Sequence, residues 1–234
     1  MRFLLLVEDR QSEPARAPVR AQEMIEFGER LRAEGVLLTA AGPFAPDSQA
    51  VRLRVTQGSA VMTDGPFDDP LVVGGCYLVE VADRAAAIEL AKRCPWARAG
   101  VIEVRGVHMG TLQDREVAGP LFAFLYLMEP AARAASNTIE SGIEQMRKYT
   151  VDLFEKGVHV AGGRLPPEIP PAFVEVRGTQ TLVTDGPFAE TKEVVAGFAL
   201  MRVGSRAEAL ELAARAPHAQ WGTVEVREVH RPAH

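Results

Sequence analysis

The stretch Thr63-Asp64-Gly65-Pro66-Phe67 returns letter for letter as Thr184-Asp185-Gly186-Pro187-Phe188, 121 positions later. Downstream the repetition continues. Gly75–His108 agrees with Gly197–His230 at 18 of 34 positions, now at an offset of 122. Unrelated chains of ordinary composition agree at roughly 6% of positions, so one domain is written twice. The offset changes between Phe67 and Gly75, which leaves the first copy one residue shorter just after its motif. Such a period is too long for a solenoid unit, and 234 residues divide comfortably into two domains of ordinary size. The expected division is a first domain over 1–107, a linker over 108–120 and a second domain over 121–234.

Upstream the repeat is weaker. Phe3–Glu8 aligns with Phe124–Glu129, both apolar stretches ending in Glu. Met24, Phe27 and Leu31 align with Met146, Tyr149 and Leu153, each set at i, i+3, i+7 on one helical face. Gly35 and Gly157 stand where those helices should stop. Each copy therefore reads as a strand (2–8; 122–128), a helix (19–34; 138–156) and a short strand (36–41; 158–161). A Pro- and Gly-rich loop leads to a strand pair (51–56 and 60–62; 172–177 and 181–183) that enters the motif. An apolar strand (75–81; 197–203), a second helix and a final strand (100–107; 222–229) complete the copy. Asp83 and Ser205 are N-caps for the second helix, Ser205 and Glu208 form a capping box, and Pro95 and Pro217 end it. This order predicts an α+β fold of the ferredoxin-like kind. Its helices cover one face of a sheet, and the sheet of the other copy is the simplest cover for the second face. The expected assembly is an internal pseudo-dimer, with further oligomerisation left open.

Composition narrows the function classes. The chain is 47% hydrophobic and 24% charged, as in ordinary globular proteins, with a net charge of −5. Its 26 Lys and Arg are scattered, without the basic stripe that a nucleic-acid partner requires. No apolar run approaches 18 residues, so no membrane span is expected. The apolar opening Phe3–Val7 runs straight into Glu8 and Asp9, which reads as a strand and not as a signal peptide. Cys76 and Cys94 align with Phe198 and Ala216, so both are expected in the core of a cytoplasmic protein. Dinucleotide, phosphate-loop, nucleophile-elbow and zinc-ligand spacings are not found, so no cofactor and no metal are expected.

The segment Val61–Phe67, the following Gly75-Cys76-Tyr77-Leu78 and the ending Gly100-Val101-Ile102-Glu103-Val104-Arg105 resemble the YCII-related (DGPF-domain) family. The second copy is the closer match, through Asp185-Gly186-Pro187-Phe188-Ala189-Glu190-Thr191-Lys192-Glu193 and Gly222-Thr223-Val224-Glu225-Val226-Arg227. The resemblance covers nearly the whole chain twice. It implies a dimeric α/β-barrel, built here from two fused copies. Relatives with this fold act as lyases, dehydrochlorinases or isomerases on small ring compounds through a His–Asp pair. Others are encoded beside extracytoplasmic-function sigma factors. This chain departs from the enzymatic relatives: where they carry a His on the first helix, it shows Met24, Phe27, Met146 and Tyr149.

Two functions from different classes stay open at this point. One is a cofactor-free lyase or isomerase acting on a small molecule, with Asp185 as general base and Lys192 and Glu193 tuning it. The other is a non-catalytic small-molecule-binding or protein-interaction module, an accessory to sigma-factor-linked signalling. Asp64 and Asp185 each have a structural reading as well, because Asp, Gly and Pro are turn chemistry. Glu190, Lys192 and Glu193 read equally as a solvated charge run. Glu103 with Arg105 and Glu225 with Arg227 share a face at strand spacing, as an ion pair or as an inward arginine for an anionic substrate. The first copy has Asp69, Pro70, Leu71 and Val72 where the second has its charges. The expected site therefore lies in the second copy: Asp185, Lys192 and Glu193 for chemistry, Arg227 and Glu190 for binding, and Asp64 as a structural counterpart. His108 and His230 repeat past the last strands and read as surface or inter-copy hydrogen-bonding groups.

Overall fold

The structure is a computed structural model and describes residues 1–11, 18–113, 119–130, 139–186 and 192–230. The first copy contributes β1 (Arg2–Arg10), α1 (Ala21–Ala33), β2 (Leu37–Ala41), β3 (Val51–Thr56), β4 (Ser59–Asp64), β5 (Leu71–Glu80), α2 (Arg84–Arg93) and β6 (Val101–Gly106). A strand β7 (His108–Leu112) follows directly, where a plain linker was expected. The second copy contributes β8 (Leu121–Met128), α3 (Ile139–Glu155), β9 (His159–Arg164), β10 (Ala172–Arg177), β11 (Gln180–Asp185), β12 (Val194–Arg202), α4 (Arg206–Arg215) and β13 (Thr223–Val229).

Local signals act as the sequence suggests. Asp83 accepts a hydrogen bond from Ala86 N at 2.8 Å, and Ser205 Oγ accepts one from Glu208 N at 3.2 Å. Glu208 folds back onto Gly204 N, one residue earlier than a standard capping box. Gly35 and Gly157, at φ +70° and +74°, take the left-handed conformation that ends α1 and α3.

Among the described residues the strands form two antiparallel sheets. Within each copy the order β6-β1-β5-β2, or β13-β8-β12-β9, is ferredoxin-like. The two copies exchange hairpins. β3–β4 of the first copy pairs with β13 of the second, and β10–β11 of the second pairs with β6 of the first. β7 pairs with β9 across the copies, and a bridge from Phe44 to Val229 joins the opposite seam.

Alternation along the strands sorts side chains into layers. Phe3, Leu5 and Val7 face α1 and α2, together with Val174 from the exchanged hairpin. Phe122, Phe124 and Tyr126 face the other helix pair with Leu53. Leu4, Leu6, Cys76 and Leu78 of one sheet meet Leu125, Leu127, Phe198 and Leu200 of the other. The chain is thus an α+β intramolecular pseudo-dimer, a barrel of two ferredoxin-like copies whose inner faces form one shared core.

Pairing also corrects the upstream alignment. Phe3 pairs with Gly106 and Val79, and Phe122 pairs with Glu228 and Met201. Since 106 and 79 lie 122 positions before 228 and 201, the counterpart of Phe3 is Phe122, not Phe124. A slip of two residues keeps every side chain on its own face, so apolar alternation alone cannot detect it. The consequence is chemical: Glu8 matches Leu127, and Glu129 has no structural equivalent of that role.

Candidate functional site

Between the sheets lies a cavity of about 560 Å³, walled by both copies. Its polar lining includes Glu8, Arg52, Asp69, Glu103, Arg105 and Glu225. Its apolar lining comes from residues such as Val73, Leu125, Leu127, Phe173 and Val195. The segments that follow both repeated motifs, Asp69–Val73 and Glu193–Val195, form parts of its wall. Each lies beside a β-bulge, at Gly74 opposite Val7/Glu8 and at Ala196 opposite Tyr126/Leu127. Bulges re-aim side chains and recur next to sites.

Glu8 continues the inward set of Leu4 and Leu6 and is 4% exposed. Its Oε2 is buried without a hydrogen-bond partner among the described residues. Burial pushes its carboxyl well above the usual glutamate range, and the charge of Glu103 pushes the same way, against the opposing pull of Arg105 and Arg10. On the neighbouring strand, Arg105 Nη1 donates to Glu103 Oε1 at 2.9 Å, while Arg105 Nε has no partner among the described residues. Leu6 pairs with Glu103 and Leu4 with Arg105, so the three polar side chains share the inward face of adjacent strands β1 and β6.

The backbone carbonyl of Glu8 is pinned by Trp96 Nε1 at 3.1 Å. In the second copy His218 Nε2 holds the carbonyl of Leu127 at 2.8 Å. Gly100 and Gly222 permit these contacts, because a Cβ would lie 2.3 Å from the Glu8 carbonyl oxygen and 2.3 Å from His218 Nε2 respectively. Burial lowers the pKa of His218 to about 4, and that of His159 likewise, so both rings are neutral structural groups at ordinary pH.

The opposite wall is a saturated ion network. Arg52 donates to Glu225 Oε2 at 2.8 and 2.9 Å, pairs with Asp69, and stands 4.1 Å from the Phe67 ring centroid. Phe67 is half-buried against that guanidinium. The motif glycines serve close approach: a Cβ on Gly65 would meet the Asp47 carbonyl oxygen at 2.1 Å, and one on Gly186 would meet the Phe173 ring at 2.1 Å.

The residues expected to form a site are dispersed. Asp185 ends the exchanged hairpin with its side chain 73% exposed, paired at 2.5 Å with Arg84 of the first copy. It is not among the residues that line the cavity. Asp64 is exposed at the equivalent hairpin end. Lys192 is exposed and lies 3.7 Å from Asp68. Glu193 does line the cavity, accepting from Thr223 Oγ1 at 2.7 Å and from Arg54 Nη2 at 2.5 Å. Arg227 is buried and faces inward, but protein acceptors occupy it: the Ala45 carbonyl, Asp47 and Glu225. Glu190 lies outside the described residues. His108 makes an inter-copy contact with Arg164 at 3.0 Å. Glu8 is the group that sequence reasoning passed over, whereas Arg105 was read with Glu103 as an ion pair or an inward arginine.

Among the described residues no group of three or more His, Cys, Asp or Glu could hold a metal ion, and no helix is long and apolar enough to cross a membrane. The family model described as "YCII-related domain" matches twice, over residues 1–109 and 122–232. No curated protein matches the chain in sequence at a significant level. Among solved structures, one named "Putative Chlorite dismutase" is 9% identical, with a TM-score of 0.41, over 98% of this chain and 94% of that one.

Proposed function

The chain belongs to the YCII-related domain family, and from that premise we propose that it is a cofactor-free acid–base enzyme, an isomerase or lyase. Its small-molecule substrate occupies the cavity between the copies and exchanges a proton with Glu8. One observation carries this reading: a buried carboxyl, raised above its ordinary range and with one oxygen unpartnered among the described residues, lines a cavity of ligand size. A carboxyl tuned toward neutral pH can both take and return a proton. As carboxylate, Glu8 removes a proton from an acidic C–H and the electron pair moves onto the adjacent carbonyl oxygen. Return of the proton to another carbon of the conjugated anion is isomerisation; expulsion of a β-substituent with its electron pair is elimination. Asp185, exposed and paired with Arg84, keeps the role of tying the exchanged hairpin to the first copy. The free, buried thiols of Cys76 and Cys94 support a reducing, cytoplasmic compartment.

The test is proton–deuterium exchange. The full chain is incubated in D2O with a panel of small enolisable lactones and ring ketones, and loss of C–H signal is followed by NMR. The wild type should catalyse exchange on at least one of them without added cofactor, and Glu8→Gln should not. No exchange on any compound, or equal exchange by Glu8→Gln, would overturn the proposal.

A further inference from the structure

Arg105 and Arg227 are sister residues, 122 positions apart on matching strands, yet the protein uses them differently. Arg227 turns its Nε–Nη2 edge onto the Ala45 carbonyl, at 2.9 and 2.6 Å, and its Nη1 onto Asp47 and Glu225. Both acceptors outside its own strand come from the loop Ala45-Pro46-Asp47 of the other copy. The matching loop of the second copy reads Pro166-Pro167-Glu168, and Glu168 is exposed. Beside Arg105 that loop presents Ile169, whose side chain packs over Gly106. Arg105 is consequently left with one partner among the described residues, Glu103 on Nη1. Its Nε is buried without an acceptor, and the side chain lines the cavity. The edge that Arg227 spends on a carbonyl is unspent on Arg105.

We infer that Arg105 is the anion-binding residue of the cavity, and that the substrate is a small monocarboxylate with an apolar body. The Nε–Nη2 edge of a guanidinium matches a carboxylate with two parallel N–H donors. The apolar body rests against Leu125, Leu127 and Val73. Among the described residues there is one such seat, because the acid beside it, Glu8, has Leu127 as its counterpart. Burial keeps Glu8 neutral over a wider pH range than an ordinary glutamate, so it adds less negative charge to repel the ligand.

This assignment rests on the cavity being the substrate site. Its test uses the full chain with benzoate, benzamide and benzylamine as probes, followed by titration calorimetry or protein-observed NMR. Benzoate should bind one per chain and at least about tenfold more tightly than either analogue, the loss of a charge-assisted hydrogen bond costing on that order. Arg105→Lys keeps the charge but removes the planar edge, and should weaken benzoate about tenfold or more. Equal binding of the amide or amine, no binding of benzoate, or an unchanged Arg105→Lys affinity would overturn the assignment. If that variant fails to fold, discrimination among the three probes by the wild type decides alone. Benzoate binding without proton exchange on any enolisable compound would leave this assignment standing and overturn the acid–base reading. Exchange on neutral lactones without carboxylate binding would do the reverse.

Discussion

Replacing Glu8 by the leucine that stands at its counterpart should stabilise the protein while destroying its site. Glu8 sits inside the inter-sheet core in line with Leu4 and Leu6, with one carboxyl oxygen lacking a partner among the described residues. A buried polar group without a partner costs about 1–3 kcal/mol, and Leu127 shows that the other half of the barrel accepts a leucine there. For a chain of this size each kcal/mol moves the melting temperature by about 2–4 °C, so Glu8→Leu should melt roughly 2–12 °C above wild type. The gain depends on pH. The folded state holds the Glu8 proton above the ordinary value of 4.5, so the contribution of Glu8 is full below that value. It is lost as pH rises through the folded pKa, where a charge must stay buried. Glu8→Leu should therefore exceed wild type by more at pH 8 than at pH 4.5. Thermal unfolding of both proteins at the two pH values measures this. A variant less stable than wild type at pH 8, or a difference independent of pH, would refute the reasoning.

Other consequences are equally direct. Residues 1–112 expressed alone lose β10 from the edge of β6 and the second sheet from their inner face, so light scattering should find a homodimer or an insoluble product. A soluble folded monomer would contradict the exchanged hairpins. Burial raises the thiols of Cys76 and Cys94 to about 12, so thiol reagents should label native protein slowly and denatured protein fast. His159 and His218, held neutral with pKa values near 4, should cost stability as pH falls from 6.5 toward 4, where the unfolded chain binds the protons first. His218→Gln keeps a donor for the Leu127 carbonyl and should remove part of that acid loss; an unchanged acid limb would argue against the assignment.

The fold was legible because the repeat is exact where it matters. The shared Gly100/Gly222 and Glu103/Glu225 endings reflect strands that pack against the same partners in each copy. The hairpin exchange was not legible, since the alternation of Val51–Thr56 and Ala172–Arg177 says which face is buried but not which sheet supplies the partner. The cavity was less legible for a related reason. The conspicuous charges after the second motif sit at hairpin ends and loops, where Asp185 and Lys192 meet solvent. The signal for Glu8 was present: a period of two from Leu4 and Leu6 points it inward. It was masked by aligning Glu8 with Glu129, which made an unpaired buried acid look like a repeated strand end. Arg105 was read with Glu103 as an ion pair or an inward arginine; the pair is present and the side chain lines the cavity, but its spare hydrogen-bonding edge depends on a loop from the other copy.

The central claim is that Glu8 is a perturbed acid within the cavity, and its titration measures that claim without any knowledge of the substrate. Carboxyl carbon-13 NMR on glutamate-labelled protein, with Glu8→Gln to assign the resonance, follows its protonation between pH 4 and 9. The account predicts a Glu8 midpoint well above 4.5, lowered in Glu103→Gln because a neighbouring negative charge is gone. A midpoint at or below the ordinary glutamate value would contradict it.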